Sequence, residues 1–165
     1  MVRAARSVLD TEHSAFIQGA VSISLASRGA DNLPNITRGI GCRVAFDRKS
    51  ITVFVVANQS AGLLADIRAN GAIAVIFSDP GSHRGVQFKG RDAVAALATG
   101  SDARVLADYC EAFVSCVEKL GFSRPAIQRL LASSLDKVLA LTFTPDAAFS
   151  QTPGPAAGAP LQVHP

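Results

Sequence analysis

The chain has 165 residues, a formal net charge of +3 and a sequence pI near 9.0, and only 18% of its residues are charged. This length suits one domain with a hydrophobic core of ordinary size. The basic surplus is small and scattered, and the chain has no Trp and a single Tyr. The composition therefore argues against a nucleic-acid-binding protein.

The apolar runs "ITVFVVA" and "AIAVIF" are far shorter than a membrane-spanning helix requires. No apolar segment follows the basic N-terminus, so we expect a cytoplasmic protein without a secretory signal or a membrane partner. The three cysteines, Cys42, Cys110 and Cys116, lack CxxC spacing. Their pattern argues against a disulfide framework and against a zinc or other metal site.

The first third of the chain predicts a helix followed by three strands. A capped apolar stripe predicts a short helix over residues 11–18. "VSISLAS" alternates cleanly as a strand, "NITRGIGCRVAF" (35–46) is the second strand, and "ITVFVVAN" is a third strand buried on both faces. Because short turns join these strands, we expect an antiparallel meander.

The remainder of the chain predicts three helices and three strands. The next helix has Ser60 near its start and Gly71 just past its end. A fifth strand has a possible bulge at Gly90. In chain order the predicted elements are the helix "SAGLLADIRANG", the strands "AIAVIFSD" and "VQFKGRDAVAAL", the helices "SDARVLADYCEAFVSCVEKLGF" and "SRPAIQRLLASS", and the strand "KVLALTFTPDAAF".

The tail from Gln151 holds four of the eight prolines. Prolines prevent regular structure, so we expect this tail to lie over a surface or to be disordered. The predicted organisation is a single domain over residues 1–150 and a tail over 151–165. Short strands with helices inserted late indicate an α+β domain built on an antiparallel barrel.

The second strand contains two glycines between two arginines, Arg38 and Arg43. A glycine within a strand usually marks a bulge or the close approach of another group. The arginines are an odd number of residues apart, which places them on opposite faces of a regular strand. A glycine bulge would bring them to the same face, and both alternatives stay open.

Motifs of known hydrolases are missing from the sequence. It has neither a GxSxG elbow nor an HExxH motif, and no pair of carboxylates has a spacing that suggests acid and base roles. The sequence therefore names no catalytic residue.

The segment "LPNITRGIGCRVAFDRKSITVFVVANQSAGLLADIRANGAIAVIF" resembles the core of the pyridoxamine 5'-phosphate oxidase-like, FMN-binding split-barrel family. That family shows an Arg, four residues and then a Lys or Arg in one strand, followed by an apolar strand and a serine-containing turn. Arg38, Arg43 and Ser60 fall at these places. The likeness covers roughly residues 10–160, and the ending "FSQTPGPAAGAPL" resembles the tails of short bacterial members. The true oxidase's Trp-containing C-terminal segment is missing.

The resemblance implies an antiparallel split β-barrel with peripheral helices. It also implies a homodimer with two FMN molecules at the subunit interface. The phosphate would lie against basic side chains and the turn serine, and the ring would lie along the glycine-containing strand. The implied cofactor contacts are Arg38, Gly39, Ile40, Gly41, Arg43, Val55, Val56, Asn58 and Ser60.

The better-studied oxidases of the family carry an Arg-Lys pair after the turn serine, where this chain has Ala61 and Gly62. Three alternatives follow: FMN binds weakly, it is held by other residues such as Arg68 or Arg84, or it is replaced by a deazaflavin or haem. The implied function is a flavin-dependent oxidoreductase acting on an unidentified small molecule. The alternative is a non-catalytic protein that binds flavin, deazaflavin or haem.

Overall fold

The computed structural model describes residues 9–161. In this range one eight-stranded antiparallel sheet has the strand order β6-β7-β3-β2-β1-β4-β5-β8. The strands are β1 (Ser22–Arg28), β2 (Pro34–Val44), β3 (Ile51–Val56), β4 (Ile73–Ser78), β5 (Gly85–Gly90), β6 (Val94–Leu97), β7 (Val138–Phe143) and β8 (Ala147–Ser150). The helices are α1 (Thr11–Ile17), α2 (Ala61–Asn70), α3 (Ala103–Glu118) and α4 (Arg124–Leu131).

The predicted meander of the first three strands is confirmed. β2 pairs antiparallel with β1 on one side and with β3 on the other. Every residue of β3 is buried, because this strand lies inside the sheet with packed groups on both faces. The α+β class with an antiparallel barrel is also confirmed.

Helix α2 follows β3 as predicted and lies against β1, β2 and β6. Its apolar residues Leu63, Leu64 and Ile67 are buried. The helix ends at Gly71, which has a φ of 68°. A side chain is strained in this left-handed conformation, and a Cβ there would also lie 2.6 Å from the carbonyl oxygen of Arg91.

The segment predicted as one fifth strand with a bulge forms two separate strands, β5 and β6. β5 ends at Gly90 and pairs with β4 and β8, whereas β6 begins at Val94 and pairs with β7 at the opposite end of the strand order. The chain turns at Gly90, where a Cβ would lie 2.6 Å from the ring of Phe143 and 2.8 Å from the Thr144 oxygen. Only glycine permits this close approach.

The predicted last strand is likewise two strands, β7 and β8. The break falls at Pro145, which is buried and has no N–H to donate to a strand ladder. As far as residue 161 the tail lies over a surface, the first of the two predicted alternatives, and its last four residues lie outside the described range. Within residues 151–161, Leu161 donates its N–H to the oxygen of Ala148 at 2.9 Å, which covers the outer edge of β8.

Helix α3 packs on β2, with α4 beside it. The hydroxyl of Tyr109 in α3 donates to the backbone oxygen of Val21, just before β1, at 2.8 Å, and this buried hydrogen bond ties the helix to the sheet. The predicted helix extends past Leu120, but α3 ends at Glu118, and Leu120 is 48% exposed. Within residues 9–161 we find no helix long and apolar enough to cross a membrane.

Candidate functional site

A β-bulge interrupts β2 between its two arginines. Gly39 pairs with Val55 and Cys42 pairs with Val53, so β2 has one residue more than β3 in this stretch. One extra residue reverses the alternation of side chains along the strand. Arg38 and Arg43 therefore share a face of β2, as the bulge alternative predicted.

The strand surface between these arginines is covered by α3. A Cβ on Gly41 would lie 3.2 Å from Cδ2 of Leu106 and 3.4 Å from Cδ2 of Phe54. Arg43 donates from Nη2 to Oδ1 of Asp102, just before α3, at 3.2 Å. The chain itself therefore occupies the strand surface at Gly41 and engages the Arg43 guanidinium.

Arg38 is exposed, and no carboxylate within residues 9–161 forms an ion pair with it. It lies near Tyr109, where burial raises the pKa of the phenol and the positive charge of Arg38 partly opposes that rise. Arg38 is thus the arginine of β2 that is available to an anionic ligand.

The position that a Gly39 side chain would take lies in the hydrophobic core. A Cβ there would lie 2.6 Å from Cγ2 of Ile23 and 3.0 Å from Cγ1 of Val53. This corrects the interpretation that Gly39 and Gly41 leave bare backbone for a planar ring, because core and α3 side chains fill the space beside both. A cofactor contact through other atoms of this strand stays a prediction.

The hydroxyl of Ser60 is used inside the molecule. Its Oγ donates to the oxygen of Val56 at 2.8 Å and lies 2.8 Å from Oγ1 of Thr37. Ser60 is 3% exposed and its side chain does not cap α2. Ser60 thus stands at the start of α2 as predicted, but its hydroxyl bonds to the end of β3 and not to the helix.

The start of α2 has no side-chain cap. The N–H of Leu64 donates the first backbone hydrogen bond of the helix, to the oxygen of Ser60 at 2.9 Å. Ala61 and Gly62 in this first turn are exposed. Free N–H groups at a helix start attract anions, since they carry the positive end of the helix dipole.

Asn35, which the sequence analysis overlooked, closes one side of this helix start. A Cβ on Gly62 would lie 2.5 Å from Oδ1 of Asn35. The Asn35 amide donates to Asp66 Oδ2 at 2.8 Å, and Ser27 donates to the same atom at 2.7 Å. These hydrogen bonds hold the pKa of Asp66 below its usual value. Strand alternation was the available signal, since it places Asn35 on the face of Thr37 and Gly39.

Few of the nine predicted contact residues present a side chain to solvent. Those exposed are Arg38, Arg43 and Asn58. Arg38 is next to Thr37, whose side chain contacts Ser60, so Arg38 lies on the opposite face of the strand from that serine. The six buried residues are Gly39, Ile40, Gly41, Val55, Val56 and Ser60.

Neither substitute cation lies at the start of α2. Arg68 is seven residues after Ala61, about 10 Å further along the helix. Arg84 binds Glu12 at 2.8 Å, and its guanidinium carbon lies 4.4 Å from the ring centre of Phe16. That either arginine replaces the missing cations stays a prediction.

The surface around Arg38 also carries exposed apolar side chains. Ile36, two residues before it on β2, is 73% exposed, and Leu33 is 65% exposed. Isoleucine and leucine are usually buried, so two exposed ones beside an unpaired arginine suggest a covered surface rather than a solvated one.

No model of a known protein family matches the sequence, and no curated protein matches it. Solved structures do match its fold. HupZ of Group A Streptococcus is 19% identical, covers 91% of this chain and 99% of its own, and has a TM-score of 0.55. An F420 reductase is 15% identical, covers 85% and 98%, and has a TM-score of 0.56.

A pyridoxamine 5'-phosphate oxidase candidate from Lactobacillus delbrueckii is 13% identical, covers 86% of this chain and 93% of its own, and has a TM-score of 0.52. At such identities the likeness concerns the fold. The chain has the split-barrel fold of pyridoxamine 5'-phosphate oxidase-like proteins, as the sequence resemblance implied.

Proposed function

We propose that this protein binds a flavin-type cofactor, FMN in the first instance, and uses it as an oxidoreductase acting on a small molecule. The observation that carries the proposal is an exposed, unpaired Arg38 together with the uncapped start of α2, in a fold shared with an F420 reductase and an oxidase candidate. A bound flavin supplies hydride transfer, while the protein supplies position and charge.

The residues present fit the phosphate of such a cofactor in part. The N–H groups of Ala61 and Gly62 offer an anion site at the start of α2. Arg38 can donate two parallel hydrogen bonds to a phosphate. Because the Ser60 hydroxyl is buried and bonded to Val56 and Thr37, we assign the anion contact near Ser60 to backbone N–H groups rather than to its hydroxyl.

A deazaflavin in place of FMN is the first alternative. It has support from the fold likeness to a protein named F420 reductase, since F420 is a deazaflavin. Haem is the second alternative, kept because the family's two cations after the turn serine are missing here. A non-catalytic binding protein is the remaining candidate, because Asp66, the carboxylate beside the start of α2, is held by Ser27 and Asn35.

We also propose that the cofactor lies between two copies of the chain. Arg38 stands on an open surface next to exposed Ile36 and Leu33, so one chain supplies little enclosure for a ring. A second copy would bury these side chains and close the site. Sedimentation at micromolar concentration tests this proposal, and a monomer in the presence of saturating cofactor would contradict it.

The absorption spectrum of protein purified without added cofactor tests the cofactor assignment. Oxidised-flavin bands that bleach with a reduced nicotinamide support a flavin oxidoreductase. Flavin bands that resist every donor support a binding protein. A colourless protein that ignores added FMN and F420 in titration would contradict both flavin assignments, and a Soret band would identify haem.

A further inference from the structure

An open groove of about 720 Å³ lies on the outer side of the sheet, where β1 ends, β4 begins, β5 ends and β8 begins. It has the size of a small-molecule site. The near edge of the groove is Ala26 on β1, which pairs with Ile36, two residues before Arg38 on β2. Arg38 itself does not line the groove. Phe149 at the far edge lies four strand spacings from Arg38, on the order of 15–20 Å at about 4.8 Å per spacing.

Small side chains form the floor of the groove. Ala26 pairs with Ala74, Ala74 pairs with Lys89, and Lys89 pairs with Ala147, so one row across four strands contains three alanines and one lysine. All three alanines are half-buried. Apart from Lys89 this row carries only methyl groups, so the floor between β1 and β4 is flat and apolar.

The rim of the groove is cationic. Arg28, Lys89 and Arg91 line it, and Asp146 is its single carboxylate. Asp146 forms an ion pair with Arg91, with 3.3 Å between Oδ2 and Nε. Arg28 and Lys89 form no ion pair with any carboxylate in the part of the chain that the structure describes. Nη1 of Arg28 donates to Oδ1 of Asn32 at 3.3 Å, so both positive charges at the rim lack a carboxylate partner.

An aromatic side chain stands beside one of these cations. The Lys89 ammonium lies 5.1 Å from the ring centre of Phe149, within the range of a cation–π contact. Phe149 is half-buried and faces the groove next to Ala147. The groove therefore has an apolar floor, an aromatic wall at Phe149 and the positive charge of Lys89 beside that wall.

The backbone that carries this charge is held firmly. Gly90, next to Lys89, is packed against Phe143 and Thr144. The N–H of Asp146 donates to the oxygen of Lys89 at 2.9 Å. The two strands that form the cationic side of the groove are thereby tied together, which favours a preformed site.

We propose that this groove binds a planar aromatic anion, with its ring on the alanine floor beside Phe149 and its acid group between Lys89 and Arg28. The chemistry fits an aryl carboxylate, sulfonate or phosphate. This site is additional to the proposed flavin site and needs no part of it.

Titration with 2-naphthoate, followed by its fluorescence or by calorimetry, tests the proposal. We expect 2-naphthoate to bind at least tenfold more tightly than neutral 2-naphthalenemethanol and than non-aromatic cyclohexanecarboxylate. Equal binding of the three compounds, or no binding of 2-naphthoate at millimolar concentration, would overturn the proposal. The second result is the one expected if another copy of the chain covers the groove.

Two variants locate the site. Lys89→Met keeps the length of the side chain and removes its charge, and we expect at least fivefold weaker binding of 2-naphthoate. Phe149→Leu removes the ring, and we expect at least threefold weaker binding. Lys49→Met, at an exposed lysine of the turn between β2 and β3, is the matched control and should bind as the unmodified protein does.

Far-ultraviolet circular dichroism establishes that each variant is folded before titration. Arg38→Ala should bind 2-naphthoate with unchanged affinity, which separates this groove from the flavin site. Affinity unchanged in both Lys89→Met and Phe149→Leu would place the probe elsewhere and refute the assignment.

Discussion

Thr37 and Ser60 share a hydrogen bond of 2.8 Å that ties the middle of β2 to the start of α2. Ser60 also donates to the oxygen of Val56 at 2.8 Å, and both side chains are buried. The serine that the family resemblance assigns to the cofactor thus has a role in holding the fold.

Replacing Ser60 with alanine should lower the free energy of unfolding by about 1–3 kcal/mol, because Val56 and Thr37 lose a buried partner. FMN affinity should change less than threefold, since the hydroxyl faces inward. Urea denaturation and FMN titration measure the two effects. Ser133→Ala, at an exposed serine after α4, is the control. A large loss of FMN affinity without loss of stability would show that the hydroxyl contacts the cofactor.

The two glycines of the bulge should differ in their tolerance of alanine. A methyl group at Gly39 meets Cγ2 and Cβ of Ile23 at 2.6 and 2.9 Å, and the stiff β-branched side chain cannot move aside. Overpacking of this kind costs about 1–3 kcal/mol. A methyl group at Gly41 meets the flexible end of Leu106 at 3.2 Å. Gly41→Ala should therefore be the milder change, and the reverse order in thermal melts would contradict this packing.

Arg38 should matter for the cofactor and little for stability. It is exposed and unpaired within residues 9–161, so Arg38→Ala should shift the free energy of unfolding by less than about 0.5 kcal/mol. Loss of its phosphate contact should weaken FMN binding at least tenfold, about 1.4 kcal/mol. Arg129→Ala, at an exposed arginine of α4, should leave affinity unchanged. Equal affinity in both variants would remove Arg38 from the site.

The start of α2 offers a gain-of-function test. Ala61 is exposed, and Ala61→Arg restores one of the cations that the family's oxidases carry there. FMN affinity should rise about tenfold, equivalent to about 1.4 kcal/mol. Gly62→Arg should instead destabilise the protein, because its Cβ would lie 2.5 Å from Oδ1 of Asn35. Calorimetric titration with FMN measures the affinity of Ala61→Arg, and a thermal melt measures the stability of Gly62→Arg. Weaker FMN binding by Ala61→Arg would place the phosphate elsewhere.

The pair of Asp102 and Arg43 should make stability depend on acid pH. Burial raises the pKa of Asp102, but the N–H and hydroxyl of Thr99 and the charge of Arg43 more than offset it, so the pKa is lowered. A carboxyl with a lowered pKa stabilises the folded state above its unfolded pKa of about 3.9, and that contribution is lost as pH falls through the folded value.

Asp102→Asn should consequently be less stable than the unmodified protein at pH 7, by about 1–3 kcal/mol. The gap should narrow as pH falls from about 5 to 2. Thermal melts across this range measure it. Asp108→Asn, at an exposed carboxylate paired with Arg104 within α3, is the control and should cost less than about 0.5 kcal/mol at pH 7. A gap between Asp102→Asn and the unmodified protein that stays constant with pH would show that the carboxylate does not act through its charge.

Local chemistry explains which parts of the fold the sequence predicted. The alternation of β1, the apolar run of β3 and the positive-φ glycine at Gly71 act within a few residues, so the meander and the ends of α2 were predictable. The corner at Gly90 was not, because its cause is the ring of Phe143, more than fifty residues away in the chain. The split of the fifth strand depends on that distant contact.

The same division holds for the candidate site. The sequence by itself determined the strand order of the meander, the start of α2 next to Ser60 and the presence of two arginines around a pair of glycines. Only the tertiary structure decided that a bulge brings those arginines to one face, that Asp102 engages Arg43, and that Leu106 covers Gly41. The sequence patterns that predict strands and helices involve neighbouring residues. Burial and pairing depend instead on contacts with residues distant in the chain. Here those contacts come from α3, which begins sixty residues after Arg43.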